Sequence, residues 1–311
     1  MVRNSSTQAL FGFCSTYFVG TTGYLGAIFV DPSKRNLSIG HSLHQRAIRG
    51  LLQKPSLENL QLGLGLPGIY LGVPMSDLSE GARLKRWFGT NGWDVLSPRL
   101  LYTLTIRSLS HWSPPDGLLQ SIQSVSFTFD LIHGSANPSL QTPDPLVTQV
   151  LDFVSQHAAL EVLSLYNLAL QDPKACAIVR AKSPIDGSLV GTVIVCRSDT
   201  NLARWMPLLI SAHDNKEMAG GILAPITPQG SAQREVVLQG LVTLGINQIK
   251  KQGAGKGILN WVAGDDRDVL LEMGFDVLEA WEEVTSGPER VSRRSVSESI
   301  PEADLCHSGV R

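Results

Sequence analysis

The sequence predicts an α/β fold of the α+β kind, laid down twice. Three observations carry that expectation. β-rich runs come in pairs around turn residues and read as hairpins. Each pair is followed by a proline-containing turn and then a helical pattern. The series hairpin, proline turn, helix, strand, helix, Gly-aromatic, strand occurs once in each half, as a duplication of pattern rather than of residue identity. A chain of 311 residues suits two domains of roughly 100 to 200 residues each.

In the first half, "FGFCSTYFV" and "GYLGAIFV" flank the turn-like "GTTG" and predict an antiparallel hairpin whose second strand ends at Val30. From Ile39 onward Leu43, Ala47, Ile48, Leu51 and Leu52 recur at helical spacing, with His41, His44, Gln45, Arg46 and Arg49 on the other face. On exposure alone, His41 and His44 read as solvated helix-surface histidines. "NLQLGL" reads as a strand, Gly65 to Pro74 as a Gly/Pro-rich connection, "SEGARLKRWFGTN" as a helix and "LLYTLTIRSL" as a strand. "HWSPPDG" predicts a linker near residue 115, because adjacent prolines fit neither element interior.

In the second half, "SFTFDLI" reads as a strand, "DPLVTQVLDFVSQHAALEVLSLYNLAL" as one or two helices, and "CAIVRAK" with "LVGTVIVC" as a hairpin. "GGILAPITP" is a strand running into prolines, "REVVLQGLVTLGINQIKKQ" a long helix, "GILNWVA" a strand, "DRDVLLEMG" a short helix and "FDVLEAWEEV" the closing strand. The tail from Ser286, rich in Ser, Arg and Glu, is expected to be disordered. The domains expected are therefore 1–114, 115–285 and a tail 286–311. "RRSVS" in that tail resembles a basophilic phosphorylation site.

Composition narrows the function classes. With 43% hydrophobic and 17% charged residues and a net charge of −2, the chain carries no global bias toward nucleic acid. "MVRNSSTQALFGF" holds no signal-peptide core, and no segment approaches the ~20 apolar residues of a membrane span. A cytoplasmic location without membrane association is expected, and the sequons at Asn4 and Asn36 carry little weight there. Cys14, Cys176, Cys196 and Cys306 are scattered, without CxxC or a nearby His cluster, so thiols are expected and no metal site.

Chemistry concentrates in "VDPSKRNLSIG", Val30 to Gly40. A strand that turns through Pro32 into a helix leaves backbone N–H groups without acceptors at the helix start, which suits a pyrophosphate. Lys34 and Arg35 add charge, and Ser38 and Gly40 let a ligand approach the backbone. The arrangement V-x-P-x-x-R-x-x-S-x-G resembles the acyl-CoA-binding motif of the GCN5-related N-acetyltransferases, V-x-P-x-x-[RQ]-x-x-G-x-[GA]. "WFGTNGW" and "LLEMGFDVLEAWEEV" resemble the family's second signature, an aromatic-rich helix ending in Gly-aromatic before a strand. The likeness covers most of residues 10 to 285 as two tandem folds. It extends to the tandem region at the C-terminus of some fungal family-three β-N-acetylglucosaminidases, whose hydrolase barrel and catalytic motifs this chain lacks.

That resemblance implies a mixed, mostly antiparallel sheet flanked by helices, with the first copy N-terminally truncated. It implies acetyl-CoA as acyl donor, held by Ile28, Phe29, Val30, Lys34, Arg35, Asn36, Leu37, Ser38, Ile39, Gly40 and His41. The activity implied is N-acyl transfer to a small amine, in an amino-sugar context. The alternative is a non-catalytic CoA-binding, structural or interaction module. Ser38 replaces the motif's first glycine and fits if its φ stays negative or the turn absorbs a Cβ. Phe88 and Leu270 stand where many members have the tyrosine that protonates the departing thiolate. In the second half Pro228 persists, but Ser231 and Arg234 replace the motif's Arg and Gly, so weak cofactor binding is expected there. No carboxylate lies on Tyr24 to Val30, which leaves the Tyr24 hydroxyl, His41 or a bound water as base.

Two competing motifs fail on context. "NLSIG" approximates a G-x-S-x-G nucleophile elbow, but a proline turn intervenes and Asn36 replaces the first glycine. "GLGLPG", Gly63 to Gly68, matches G-x-G-x-x-G, but Pro67 follows where a helix must open.

Overall fold

The computed structural model describes residues 1–63, 72–75, 78–134, 144–212, 218–228 and 233–297. "GLGLPG" beyond Gly63, most of the Gly65 to Pro74 connection, Ser231 and the tail from residue 298 lie outside the described residues. In chain order the first half runs β1 (Val2–Arg3), β2 (Leu10–Val19), β3 (Thr22–Val30), α1 (Ile39–Leu52), β4 (Asn59–Leu62), β5 (Val73–Pro74), α2 (Leu78–Thr90) and β6 (Asp94–Ile106). Then come α3 (Leu118–Ser124), β7 (Thr128–Ile132), α4 (Pro145–His157), α5 (Leu160–Leu170), β8 (Cys176–Lys182), β9 (Leu189–Arg197) and α6 (Pro207–Ala212). The chain closes with β10 (Ala219–Ile226), α7 (Arg234–Lys251), β11 (Lys256–Ala263), α8 (Gly264–Glu272), β12 (Asp276–Ser286) and α9 (Pro288–Ser297).

The chain divides into two units, one of Met1–Leu64, Asp77–Pro98 and Glu283–Arg311, the other of Gly65–Ser76 and Arg99–Glu282. The division falls inside β6 and inside β12, not at residue 115 as the prolines suggested. Its physical cause is an exchange of closing strands. In unit 2, Leu101 to Ile106 of β6 pair antiparallel with β11. In unit 1, Val284, Thr285 and Ser286 of β12 pair antiparallel with Leu62, Gln61 and Leu60 of β4.

Unit 1 is built on the hairpin β2–β3, which joins β4 in parallel from Thr22↔Asn59 to Leu25↔Leu62. Helix α1 forms because Leu43, Ala47, Ile48 and Leu51 fall on one face, and that stripe packs against β2 and β3. His44 sits in the same stripe with 1% exposure, so it is buried rather than solvated as its polarity suggested.

The expected disorder from Ser286 does not hold for residues 286–297. Ser286 is the last residue of β12, Pro288 opens α9 with Glu289 in its first turn, and Val291 is fully buried. A proline at the helix start and an acid near its positive end favour that helix.

Unit 2 packs helices on both faces of its sheet. On one face Val237, Leu238, Leu241, Val242 and Ile246 of α7 meet Val193, Val195 and Leu259. On the other, Val150, Phe153 and Val154 of α4 and Leu165 and Tyr166 of α5 meet Ile178 and Ile194. Trp112, read as part of a linker, is buried and donates its indole N–H to the Met273 carbonyl at 2.8 Å.

Candidate functional site

Strand β3 positions the site. The pairing between β2 and β3 passes from Ser15↔Ala27 to Thr16↔Leu25, leaving Gly26 as an extra residue in β3. A Cβ at Gly26 would lie 2.2 Å from Cε2 of Tyr17, so the Tyr17 ring favours glycine at the bulge. The parallel ladder to β4 runs as far as Leu25↔Leu62, closed by the Gly63 N–H on the Leu25 carbonyl at 3.0 Å. Strand β3 continues to Val30, so Ile28, Phe29 and Val30 follow the bulge beyond that ladder and lead into the turn.

The turn is tightly specified. The Asp31 carboxylate accepts from the Ser33 N–H at 2.8 Å and the Ser33 hydroxyl at 2.7 Å, and those bonds lower its pKa. Pro32 starts a short 3₁₀ turn to Lys34, whose ammonium stands 5.3 Å from the Phe11 ring centroid. Arg35 is exposed and extended, at φ −65° and ψ 158°.

Two non-glycine residues, Asn36 at φ 64° and Ser38 at φ 58°, then adopt the left-handed conformation. The turn thus absorbs the Cβ of Ser38 at positive φ, at a cost of about 1 kcal/mol or more. Ser38 caps α1 without a side-chain hydrogen bond, and the first helical bond is from the Ser42 N–H to its carbonyl at 3.0 Å. The amides between have no acceptor inside the helix. Left-handed residues preceding a helix start turn backbone N–H groups into one concavity suited to anions.

Gly40 makes the sharpest test of that reading. Its hypothetical Cβ would meet only Cγ2 of Val30, at 3.6 Å, which is ordinary contact. Packing within the protein therefore does not require glycine there. A phosphate-bearing ligand resting on the backbone would, and the turn fits such a group on that ground.

Lys34 to His41 are brought together in one turn, with Ile28 to Val30 leading to it. Tyr24 is not: it lies before the bulge with 4% exposure, opposite Tyr17 on β2 and Gln61 on β4. His41 is half-buried, with Nε2 2.8 Å from Nε2 of Gln45. Phe88 is buried, its ring edge-on to Trp87 at 4.9 Å and to Trp93 at 6.2 Å, and Leu270 is a core residue of unit 2. Each is packed inside its own unit. Sequence reasoning missed Glu283, whose Oε1 accepts from Nε2 of Gln61 at 2.6 Å; no local signal places a residue of the last strand beside β4.

Unit 2 repeats the strand geometry. Strand β10 runs parallel to β11 from Ala219↔Lys256 to Leu223↔Asn260, and its pairing with β9 shifts between Leu223 and Ile226. Ala224 sits in that bulge at φ 48°, and its carbonyl accepts from the buried Tyr166 hydroxyl at 3.1 Å. Beyond the strand, Arg234 at the start of α7 turns back. Its Nε donates to the Thr227 carbonyl at 3.3 Å, and its guanidinium pairs with Asp266 at 2.5 Å, the side chains being 13% and 8% exposed. Protein groups thus engage this helix start.

Two units with a bulged strand, a parallel neighbour that stops at the bulge, and a helix beginning just beyond it form a repeated architecture with known counterparts. The GCN5-related glucosamine N-acetyltransferase region of a fungal multi-domain GH3 β-N-acetylglucosaminidase superposes with a TM-score of 0.70 at 20% identity, over 90% of this chain and 32% of that one. The fold is that of the tandem GCN5-related acetyltransferases. A tandem protein of this fold from the clavulanic acid biosynthesis pathway matches with a TM-score of 0.53 at 16% identity, over 91% of this chain and 81% of its own. A GCN5-related N-acetyltransferase from Sphaerobacter thermophilus gives 0.54 at 14% identity, over 90% and 78%. This chain spans about a third of the length of the fungal protein. No family model and no curated protein matches the sequence. Among the described residues, no helix is long and apolar enough to cross a membrane.

Proposed function

We propose that the chain is an acetyl-CoA-dependent N-acyltransferase acting on a small amine, with its single donor site in unit 1. The observation that carries this reading is the turn from Asn36 to Gly40, where left-handed Asn36 and Ser38 and a sterically unnecessary glycine meet at a helix start. Arg35 and Lys34 would complement the donor's phosphates, and backbone amides of the turn would hold its pyrophosphate. The pantetheine arm would follow Ile28 to Val30, bringing the thioester toward the bulge at Gly26. When bound, the thioester supplies the activated acyl group.

The residues of unit 1 contribute alignment of amine and thioester, and a strand N–H contributes polarisation of the carbonyl. Glucosamine is the first acceptor to test, because the fungal region of like fold is described as a glucosamine N-acetyltransferase. Release of free CoA, followed with a thiol reagent across amines that include glucosamine, checks the activity. Amine-dependent release supports it, and its absence with every amine overturns it.

Burial of Phe88 and Leu270 favours a second reading, a CoA-binding module without turnover, since neither position offers a proton to a departing thiolate. Acetyl-CoA binding abolished by Arg35→Glu, together with no CoA release, would select it.

A further inference from the structure

Amine acylation begins from an ammonium, which must lose a proton before its nitrogen is nucleophilic, and β3 carries no carboxylate. We propose that Glu283, delivered to unit 1 by the exchanged strand β12, is the general base of the transfer; this rests on the transferase reading above.

Register places it. Along β4, Leu62 lies opposite Leu25 of β3 on one side and Val284 of β12 on the other. One step further, Gly63 bonds to the Leu25 carbonyl, next to the Gly26 bulge, and Glu283 follows Val284 on the far side. Glu283 therefore shares a row with the bulge, two strand spacings away, about 10 Å between backbones. A glutamate side chain, standing off the sheet, covers at most about half of that distance, so the acceptor amine would lie between the carboxylate and the bulge.

Orientation agrees with position. Tyr24, Gln61 and Thr285 are mutual ladder partners and share one face of the sheet. Glu283, two residues from Thr285, projects from the same face, as its 2.6 Å bond from Gln61 confirms. Helix α1 packs on the other face: Gly12 meets Leu43 and Ile39, and Gly23 meets Leu51. The carboxylate is thus held away from the packed helix and fixed at Oε1 by Gln61. Among the described carboxylates of unit 1, Asp31 lies in the turn, Asp94 at the start of β6, Glu58 at the opposite end of β4, and Glu289 on α9.

In the step assigned to it, Glu283 takes one proton from the acceptor ammonium. The amine nitrogen then forms a bond to the thioester carbon as the carbon–sulfur bond breaks. The second N–H proton accompanies the thiolate as it leaves, and Glu283 returns its own proton to water.

The test compares wild-type full-length chain with Glu283→Gln, which keeps size and hydrogen bonding to Gln61, using acetyl-CoA and glucosamine. The expected result is a fall in kcat/KM of about 100-fold or more, loss of the acid limb of its pH profile, and an acetyl-CoA Kd within about twofold of wild type. Formate should partly restore the rate of Glu283→Ala. A Glu283→Gln variant with the wild-type rate and acid limb overturns the assignment, and so does one that loses acetyl-CoA binding, because the side chain is then structural. A wild-type chain that releases no CoA with any amine fails the transferase reading itself, whereas active wild type beside an equally active variant fails only Glu283.

Discussion

The indole N–H of Trp93 donates to Nε2 of His44 over 2.8 Å, tying the start of β6 to the buried face of α1. Trp87 stands edge-on to the same imidazole at 5.4 Å. Burial, and secondarily the charge of His41, push the His44 pKa down to about 4. The helix whose N-terminus shapes the candidate cradle is therefore anchored by an imidazole that must stay neutral, since a protonated ring cannot accept from Trp93.

The pH dependence follows with a definite sign. The folded pKa lies below the unfolded value near 6.5, so the unfolded chain binds more protons between the two. The contribution is complete above about pH 6.5 and is lost as pH falls toward about 4, roughly 3 kcal/mol in all. Urea midpoints of wild type should fall across that window. His44→Gln, which retains an acceptor but does not titrate, should show a shallower fall, and parallel curves would contradict the anchor.

Gly26→Ala should destabilise unit 1 by about 1 to 3 kcal/mol, because its Cβ meets Tyr17. Thermal unfolding in a Tyr17→Ser background should show a smaller loss. An equal loss in both backgrounds would mean that the bulge conformation, not the ring, excludes the side chain.

Gly40→Ala separates function from folding. Its Cβ has room and alanine favours helix, so stability should hold or rise by up to about 1 kcal/mol. Acetyl-CoA affinity should fall by about tenfold or more, about 1.4 kcal/mol. Unchanged affinity would remove the reason for placing pyrophosphate on this backbone.

Arg234→Met should destabilise unit 2 by about 3 to 5 kcal/mol, because it removes the guanidinium that pairs with buried Asp266. Arg234→Met with Asp266→Leu should recover most of that loss, which a double-mutant cycle measures. Acetyl-CoA affinity should be unchanged in both, since the pair belongs to unit 2.

Local pattern carried much of the fold. The apolar stripe Leu43, Ala47, Ile48 and Leu51 announced α1, and paired β-rich runs announced both hairpins. The turn was legible in the same way, because Pro32, Arg35 and Gly40 act through their own backbone neighbourhood. Long-range pairing was not. Nothing around Thr285 says that it lies beside Gln61, so the exchanged strands, the shifted domain division and Glu283 emerge only in three dimensions. His44 was misread because a polar residue inside an apolar stripe looks exposed until Trp93 supplies its partner. The helix α9 was misread because its composition is polar, while buried Val291 and the Arg290–Asp94 ion pair fix it.

Calorimetric titration of the chain with acetyl-CoA measures directly whether unit 1 alone holds the donor. One site per chain is expected, lost in Arg35→Glu and retained in Arg234→Met with Asp266→Leu. Two sites, or binding indifferent to Arg35, would contradict it.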